Sequence, residues 1–501
     1  MNAATVSFLV YTVVLAAIGI WSYSIVKKVP IKKYEEEFYA AGRGLGGIVV
    51  ALVIAGGLAS AGTFIAGPGM TYAYGYSWVL FNNFQIFMNL LLLAPIGIIV
   101  GIVARRVNAV TYLDIFRARY QSKAVIIILA VLVTIFLLPY MATQFVGATR
   151  VISQMTGLSY LAALAFGSIV VLVYSVLGGM RGTSLATILQ GIVITAGCVL
   201  LFAGTVNYAG GFRQSTEILA SQDIHFLSPT KGGQFPPPFA FSIACITGLF
   251  VVGMPHAMLG ALTYKNTRAL KKGIWMGGIL VCIWTLLLCL SGVIGRAIKP
   301  DLAVPDEISP WLAMHVMPSA LGGIVLAGIV AGIQTTVAAM AIIITSSIAK
   351  NLLKEIKPDI SDEKLKAASR WTMAGCLAVA IGLALLQPPL IQWIIFFSIG
   401  GLEAATFGPI LLGMYWKRGN HWGAIVSISW GMIMYAMANT IIPKSWLLGT
   451  HPSLISVSTA VLVYILASLA TQPPSEAILR TFWGVRTNHP SEGTLISGGE
   501  V

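Results

Sequence analysis

The sequence predicts an all-α protein threaded repeatedly through a membrane, and three observations carry that prediction. Of its 501 residues, 57% are hydrophobic and 10% charged, with a mean hydropathy of +0.86, whereas a soluble chain carries about 25% charged residues. Apolar runs long enough to cross a bilayer recur along the whole length. The basic residues crowd onto alternate loops, as the positive-inside rule requires.

Thirteen such runs can be counted, near 4–26, 44–73, 76–104, 123–147, 156–177, 183–209, 238–263, 272–297, 319–349, 368–386, 389–416, 421–442 and 453–471. With the N-terminus outside, the inner loops hold 25 of the 31 Lys and Arg, Arg486 among them. The net charge of +14 therefore reports orientation rather than a nucleic-acid footprint, and the C-terminus is expected in the cytoplasm. The first run is too long for a secretory signal and lacks a small-residue cleavage pattern, so it reads as a retained helix. The five cysteines (Cys198, Cys245, Cys282, Cys289 and Cys376) all lie in apolar runs with no metal-ligand or disulfide spacing, which predicts core packing.

Taken in order, residues 27–47 form an inner loop, in which Glu35–Glu37 read as a solvated run and Phe38–Tyr39 as an interfacial anchor. The second run, ALVIAGGLASAGTFIAGPGMTYAYGYSW (51–78), carries Gly56, Gly57, Gly62, Gly67, Pro68 and Gly69 with hydroxyls at Ser60 and Thr63. So many helix-weakening residues at membrane depth have two readings. One is close packing against other helices through small residues; the other is a broken helix whose freed peptide groups line a polar cavity.

The third run carries Asn82, Asn83, Gln85 and Asn89, amides that serve either as glue between helices or as cavity lining. Residues 104–123 form a basic interfacial loop. In the fourth run Tyr140 and Gln144 share one helix face at i, i+4. Gly178–Gly179 break the chain at the inner face, and the outer loop near 208–237 reads as a partly ordered cap.

A second interruption follows at Gly253, Pro255 and His256, where the proline removes a backbone donor. Two broken helices, each opening five runs, point to inverted repeats at 44–209 and 238–416. Segment 1–43 would precede them as an extra helix and inner loop. The outer loop 210–237 would join them, two further helices (417–475) would follow, and 476–501 would be a polar tail. Gln334, Thr335 and Thr336 stand mid-helix in the ninth run, and Glu403 is the one acid within an apolar run.

The stretches EEFYAAGRGLGG (36–47), TFIAGPGMTYAYGYSWVL (63–80), ARRVNAVTYLDIFRARYQS (104–122), VYSVLGGMRG (173–182), GMPHAMLGALTYKN (253–266) and GGLEAATFGPILLGMYWKRGN (400–420) resemble the sodium:solute symporter family, and within it the pantothenate permeases. The resemblance implies a LeuT-type 5+5 inverted repeat of thirteen helices, one extra before the repeats and two after. It implies sodium as coupling ion, held by carbonyls near Gly56, Ala59 and Gly332 and by the hydroxyls of Thr335 and Thr336. An unwound helix offers such a hard cation oxygen without a buried carboxylate. The two threonines have an alternative role, bonding back to carbonyls one turn earlier.

The substrate would lie between Ser60, Thr63 and Gly67 of the first break and Pro255–His256 of the second, with Gln85, Tyr140 and Gln144 as walls. His256 reads equally as a neutral side chain bonded to a helix end, and Glu403 as a structural, hydrogen-bonded acid. Half-helix N-termini suit a carboxylate, which makes pantothenate or another small acid the expected solute. The chain departs from the family at Leu58, Thr187 and Ala338, where many members carry Asp, or Asn in the first case.

The expectation is a sodium-coupled importer of the plasma (inner) membrane, working by alternating access on a small carboxylate. Its partners are the solute and the lipid bilayer, with no nucleic acid, no obligate protein partner and no organic cofactor. A proton-coupled or weakly coupled carrier of the same fold is the alternative left open by the three departures. A membrane sensor is disfavoured by the short stretch after 471, which leaves no room for an output domain. An enzyme is disfavoured because the six histidines are scattered and the acids sit in loops.

Overall fold

The Ser319–Thr345 helix is the axis around which the others pack: from Gly322 to Thr345 nearly every residue is buried. Its sequence is apolar or small on all faces, which is what a helix surrounded by other helices requires. It lies against the Ala3–Val26, Lys123–Thr156 and Tyr160–Tyr208 helices. The computed structural model describes residues 3–388 and 391–484, apart from the side chains of Ile86, Phe87, Asn89 and Leu92. The expectations for the Asn89 amide, Arg486 and the tail after it lie outside the described residues.

Among the described residues there is no strand, only an isolated bridge between Leu45 and Tyr264. Among the described residues, eight helices are long and apolar enough to cross a membrane, or nine if the bent pair Gly47–Leu58 and Gly62–Tyr74 is one span. The expected count was thirteen. Part of the difference is that Tyr160–Tyr208 runs as one element although Gly179, at φ 51° and ψ −143°, interrupts it where the Gly178–Gly179 break is expected. Pro237–Gly253 is short, and Tyr76–Arg106 and His421–Thr440 fall outside that set. Large apolar side chains such as Leu91, Trp371 and Trp275 point outward, as they do on a surface solvated by lipid rather than water.

The breaks have opposite order. In the first, a helix stops at Leu58, Ala59 is extended (φ −85°, ψ 104°), and a π turn at Gly62–Ala66 restarts it at a bend of 67°. In the second, a helix passes through a π turn at Cys245–Leu249, stops at Gly253, and gives way to an extended Met254 and short turns up to Leu262. The outer loop is ordered by helix Phe212–Gln222 and by Phe235, which packs edge-on against Tyr74, Trp78 and Phe81.

Two expectations for the loops are corrected, and a third gains detail. Glu35–Glu37 is not a solvated run: Glu37 is buried and accepts from Arg181, and Glu35 accepts from Lys354. Phe38 and Tyr39 are core residues, not interfacial anchors; Tyr39 Oη lies 2.7 Å from Ser369 Oγ. The basic stretch 104–123 folds under the bundle as helix Tyr112–Tyr120, where buried Arg119 donates to the Gly413 and Gly419 carbonyls at 2.7 Å. In each case a polar group at the membrane face found a buried partner, which loop composition does not reveal.

Candidate functional site

The first break exposes carbonyls because its N–H groups are used locally. Ser60 N donates to Thr63 Oγ1 at 3.4 Å, and Thr63 N and Phe64 N both donate to the Ser60 carbonyl. Gly62 N donates to Ser60 Oγ at 3.1 Å, and Ala61 N to Gln144 Oε1 at 2.7 Å. The Gly56 and Ala59 carbonyls thus lose the helical donors four residues on, Ser60 N and Thr63 N.

The two threonines of the axial helix meet those carbonyls. Thr336 Oγ1 donates to Gly56 and Ala59 at 2.8 Å each, and Thr335 Oγ1 to Gly56 at 3.1 Å and to Gly332 at 2.7 Å. Thr336 also bonds back to Gly332 at 3.4 Å. The expected bonding back to a carbonyl one turn earlier is thus present, through Gly332, alongside the contacts to the first break. Three carbonyls share two hydroxyl protons, so the cluster has surplus lone pairs and too few donors. Five neutral oxygens with no carboxylate among them suit a hard monovalent cation. Glycine permits the approach: a Cβ at Gly56 would lie 2.9 Å from the Thr335 Cβ and Oγ1.

Beside this cluster lies a cavity of about 80 Å³, room for several waters by the measure of roughly 10–15 Å³ each. Ser60, Thr63, Gln85, Tyr140 and His256 line it, facing Gln392, Thr285 and Asn82. Tyr140 Oη donates to Ser60 Oγ at 3.1 Å, and its ring meets His256 edge-on at 5.7 Å. Gln85 Nε2 donates to Asn82 Oδ1 at 2.6 Å. The His256 Nδ1 and Gln392 Oε1 atoms are buried without a hydrogen-bond partner among the described residues.

Gly67, Gln144 and Pro255 stand apart from the cavity. Gly67 packs toward Asn82, where a Cβ would meet the amide nitrogen at 3.2 Å. Gln144 braces the break from behind through Ala61 N. Pro255 shapes the second break, and its carbonyl accepts from Met258 N at 3.2 Å. The two breaks touch, since a Cβ at Gly57 would come within 2.9 Å of the His256 carbonyl oxygen.

Sequence reasoning missed Gln392 and Thr285 on the cavity wall. Gln392 opens a span and reads as interfacial, and the only available signal was its polarity within an otherwise apolar helix. Glu403 is also corrected. It is fully buried, but neither carboxyl oxygen has a hydrogen-bond partner among the described residues, so it is not a hydrogen-bonded structural acid.

Comparison with known proteins agrees with the geometry. The chain matches the sodium:solute symporter family over residues 38–434. It is 32% identical to the sodium/pantothenate symporter of Escherichia coli K12 over 478 residues, 94% of this chain and 97% of that one. The sodium/pantothenate symporter of Haemophilus influenzae is also 32% identical, over 404 residues, 80% of this chain and 84% of that one. In fold it is similar to a Na+-coupled sialic acid symporter in a substrate-bound, outward-open state, with a TM-score of 0.79 at 14% identity, covering 94% of this chain and 99% of that one. The chain belongs to the sodium:solute symporter family, and is therefore a membrane carrier that moves a small solute with sodium, not an enzyme.

Proposed function

We propose that the chain imports pantothenate, or a small carboxylate much like it, together with sodium. One observation carries this reading: the oxygens of Gly56 and Ala59 that meet Thr335 and Thr336 sit on the same break as Ser60 and Thr63, which line the cavity. An ion drawing those oxygens together fixes the backbone on which the solute rests. Each ligand then raises the other's affinity by favouring the same state. The sodium/pantothenate symporters at 32% identity support the choice of solute. The carboxylate would be met by amides (Asn82, Gln85, Gln392), since among the described residues no lysine or arginine lines the cavity.

Thirteen spans are proposed for the whole chain, with repeats at 44–209 and 238–416, the N-terminus outside and the C-terminus in the cytoplasm. The Gly179 interruption makes two spans of Tyr160–Tyr208, and Tyr76–Arg106, His421–Thr440 and the broken Pro237–Gly253 segment complete the set. On this reading Arg150–Asp306 (3.3 Å) closes the outer side, and Lys350–Asp114 (2.6 Å) with Arg117–Glu355 (2.8 Å) the inner side. Rocking alternates the two closures.

The test is uptake of radiolabelled pantothenate into vesicles holding the purified chain, with an inward sodium gradient or with potassium in its place. Accumulation that needs sodium is expected. Accumulation indifferent to the cation would remove the coupling, and none at all would remove pantothenate as the solute.

A further inference from the structure

Glu403 is the group the transport reading leaves unused. It is fully buried on the Ile391–Tyr415 helix, with no partner among the described residues for either oxygen. Gln392, Ile395, Phe396 and Ile399 of that helix line the cavity. Glu403 follows Ile399 by four residues, so it continues their stripe one turn further along the same face. One turn beyond, Thr406 Oγ1 donates to the Gly253 carbonyl at 2.6 Å, the point where the second broken helix stops. The carboxyl therefore lies one turn beyond the cavity wall, on the side where the second broken helix stops.

The groups that could hold its charge can be named element by element. Tyr140 of Lys123–Thr156, Cys245 of the π turn and Tyr435 of His421–Thr440 are near enough to interact with it electrostatically. Each is itself acidic, so none offers a positive charge. Pro452–Ala470, Phe250–Gly253 and Gly62–Ala66 contain no Lys, Arg or His; the histidines that flank them, His451 and His256, pack on Phe396 and Tyr140, and neither bonds the carboxyl. The Tyr76–Arg106 helix bears its two arginines only in its last turn, where Arg105 is bonded to the Tyr264 carbonyl. An isolated carboxylate in such surroundings carries a very large desolvation cost, which the side chain escapes by binding a cation; the smallest is a proton.

We propose that Glu403 is a proton-binding site beneath the cavity, emptied and refilled as the cavity opens and closes. When water reaches the carboxyl its O–H bond breaks and the proton passes to that water; on closure the carboxylate takes a proton back. No redox partner is needed and charge balances at each step. The proposal rests on the alternating-access reading above. It adds that the cycle moves or exchanges a proton at a residue outside the sodium site.

Infrared difference spectroscopy on the full chain in lipid vesicles tests it, comparing spectra before and after adding sodium, then pantothenate, in H2O and in D2O. A protonated-carboxyl C=O band that changes on addition, shifts in D2O and is absent from Glu403→Gln is the expected result. Glu403→Asp, which keeps the acid, should move the band rather than remove it, and so guards against a Gln variant that fails to fold. No carboxyl band responding to either addition, or one that persists unchanged in both variants, overturns the proposal. Pantothenate uptake measured on the same vesicles separates the two claims: a Glu403 band responding to sodium without any uptake defeats the solute, not the proton site.

Discussion

Gly56 and Thr335 come together so closely that a methyl group on the glycine would sit 2.9 Å from the threonine's Cβ and Oγ1. This contact sets the spacing of the oxygen cluster, because the Gly56 carbonyl accepts from both Thr335 and Thr336. Gly56→Ala should separate the helices at an overpacking cost of about 1–3 kcal/mol, partly offset by alanine's helix preference of about 1 kcal/mol. The expected outcome is a folded, membrane-inserted protein whose pantothenate uptake no longer responds to sodium. Uptake with unaltered sodium dependence would show that the spacing is not needed.

Removing the hydroxyls tests the same cluster without crowding it. Thr335→Ala with Thr336→Ala deletes two of the five oxygens and frees the Gly56 and Ala59 carbonyls. Each lost hydroxyl hydrogen bond is worth roughly 0.5–1.5 kcal/mol net, so the fold should survive. Sodium affinity, read as the sodium concentration that half-maximally raises the melting temperature, should weaken tenfold or more, equivalent to about 1.4 kcal/mol. A melting shift by sodium identical to wild type would place the ion elsewhere.

The Arg150–Asp306 pair, proposed to close the outer side, has a pH signature. Burial, opposed by Arg150, raises the Asp306 carboxyl from 3.8 to about 6. A group whose folded value is raised adds stability below its unfolded value and loses it as pH climbs through the folded one. Asp306 therefore favours the folded state most below pH 3.8, and that contribution disappears between there and about 6. A shift of this size corresponds to about 3 kcal/mol. Subtracting the melting profile of Asp306→Asn from that of wild type should isolate a decline across this window. A flat difference would mean that the carboxyl is not held in this environment.

Asp114, proposed to lie on the inner side, behaves in the opposite sense. Burial would raise its carboxyl, but Lys350 and the hydrogen bonds to Lys350, Val110 N and Thr111 outweigh that and hold it below 3.8. Its contribution is thus present above 3.8 and lost as pH falls through the lowered folded value. Asp114→Asn leaves Lys350, among the described residues, with the more distant Glu35 carboxylate at 3.4 Å, and breaking so buried a pair costs about 3–5 kcal/mol. Faster hydrogen exchange in residues 112–120 and 346–352, with a lower melting temperature at neutral pH, is the expected outcome. Unchanged exchange there would show that the pair does not hold the inner side shut.

The sequence made the breaks legible because backbone chemistry is local: glycine density near Gly56–Gly69 and the Gly253–Pro255 pair weaken a helix wherever they occur. The threonine pair was legible only through resemblance, since its partners lie about 280 positions away in the chain (|i−j| of 279 for Thr335 and Gly56). Cavity walls were least legible. Tyr140 and Gln144 share a helix face, and both reach the first break, yet only Tyr140 lines the cavity. Gln392 shows the same limit from the other side, because periodicity says which face a residue occupies and not what another helix brings to it.

That difference within one face gives a direct comparison. Gln144 Oε1 accepts from Ala61 N at 2.7 Å in a fully buried place. Gln144→Met keeps the length and volume but leaves that N–H unpaired, a cost of about 1–3 kcal/mol. The variant should melt lower and lose uptake because the break is no longer held. Gln85, by contrast, faces the cavity, and among the described residues its amide bonds Asn82 of its own helix. Gln85→Met should melt close to wild type while the pantothenate concentration for half-maximal uptake rises severalfold. The opposite pattern, a stable Gln144 variant with weakened uptake affinity and an unstable Gln85 variant, would exchange their roles and place the solute behind the first break instead of in front of it.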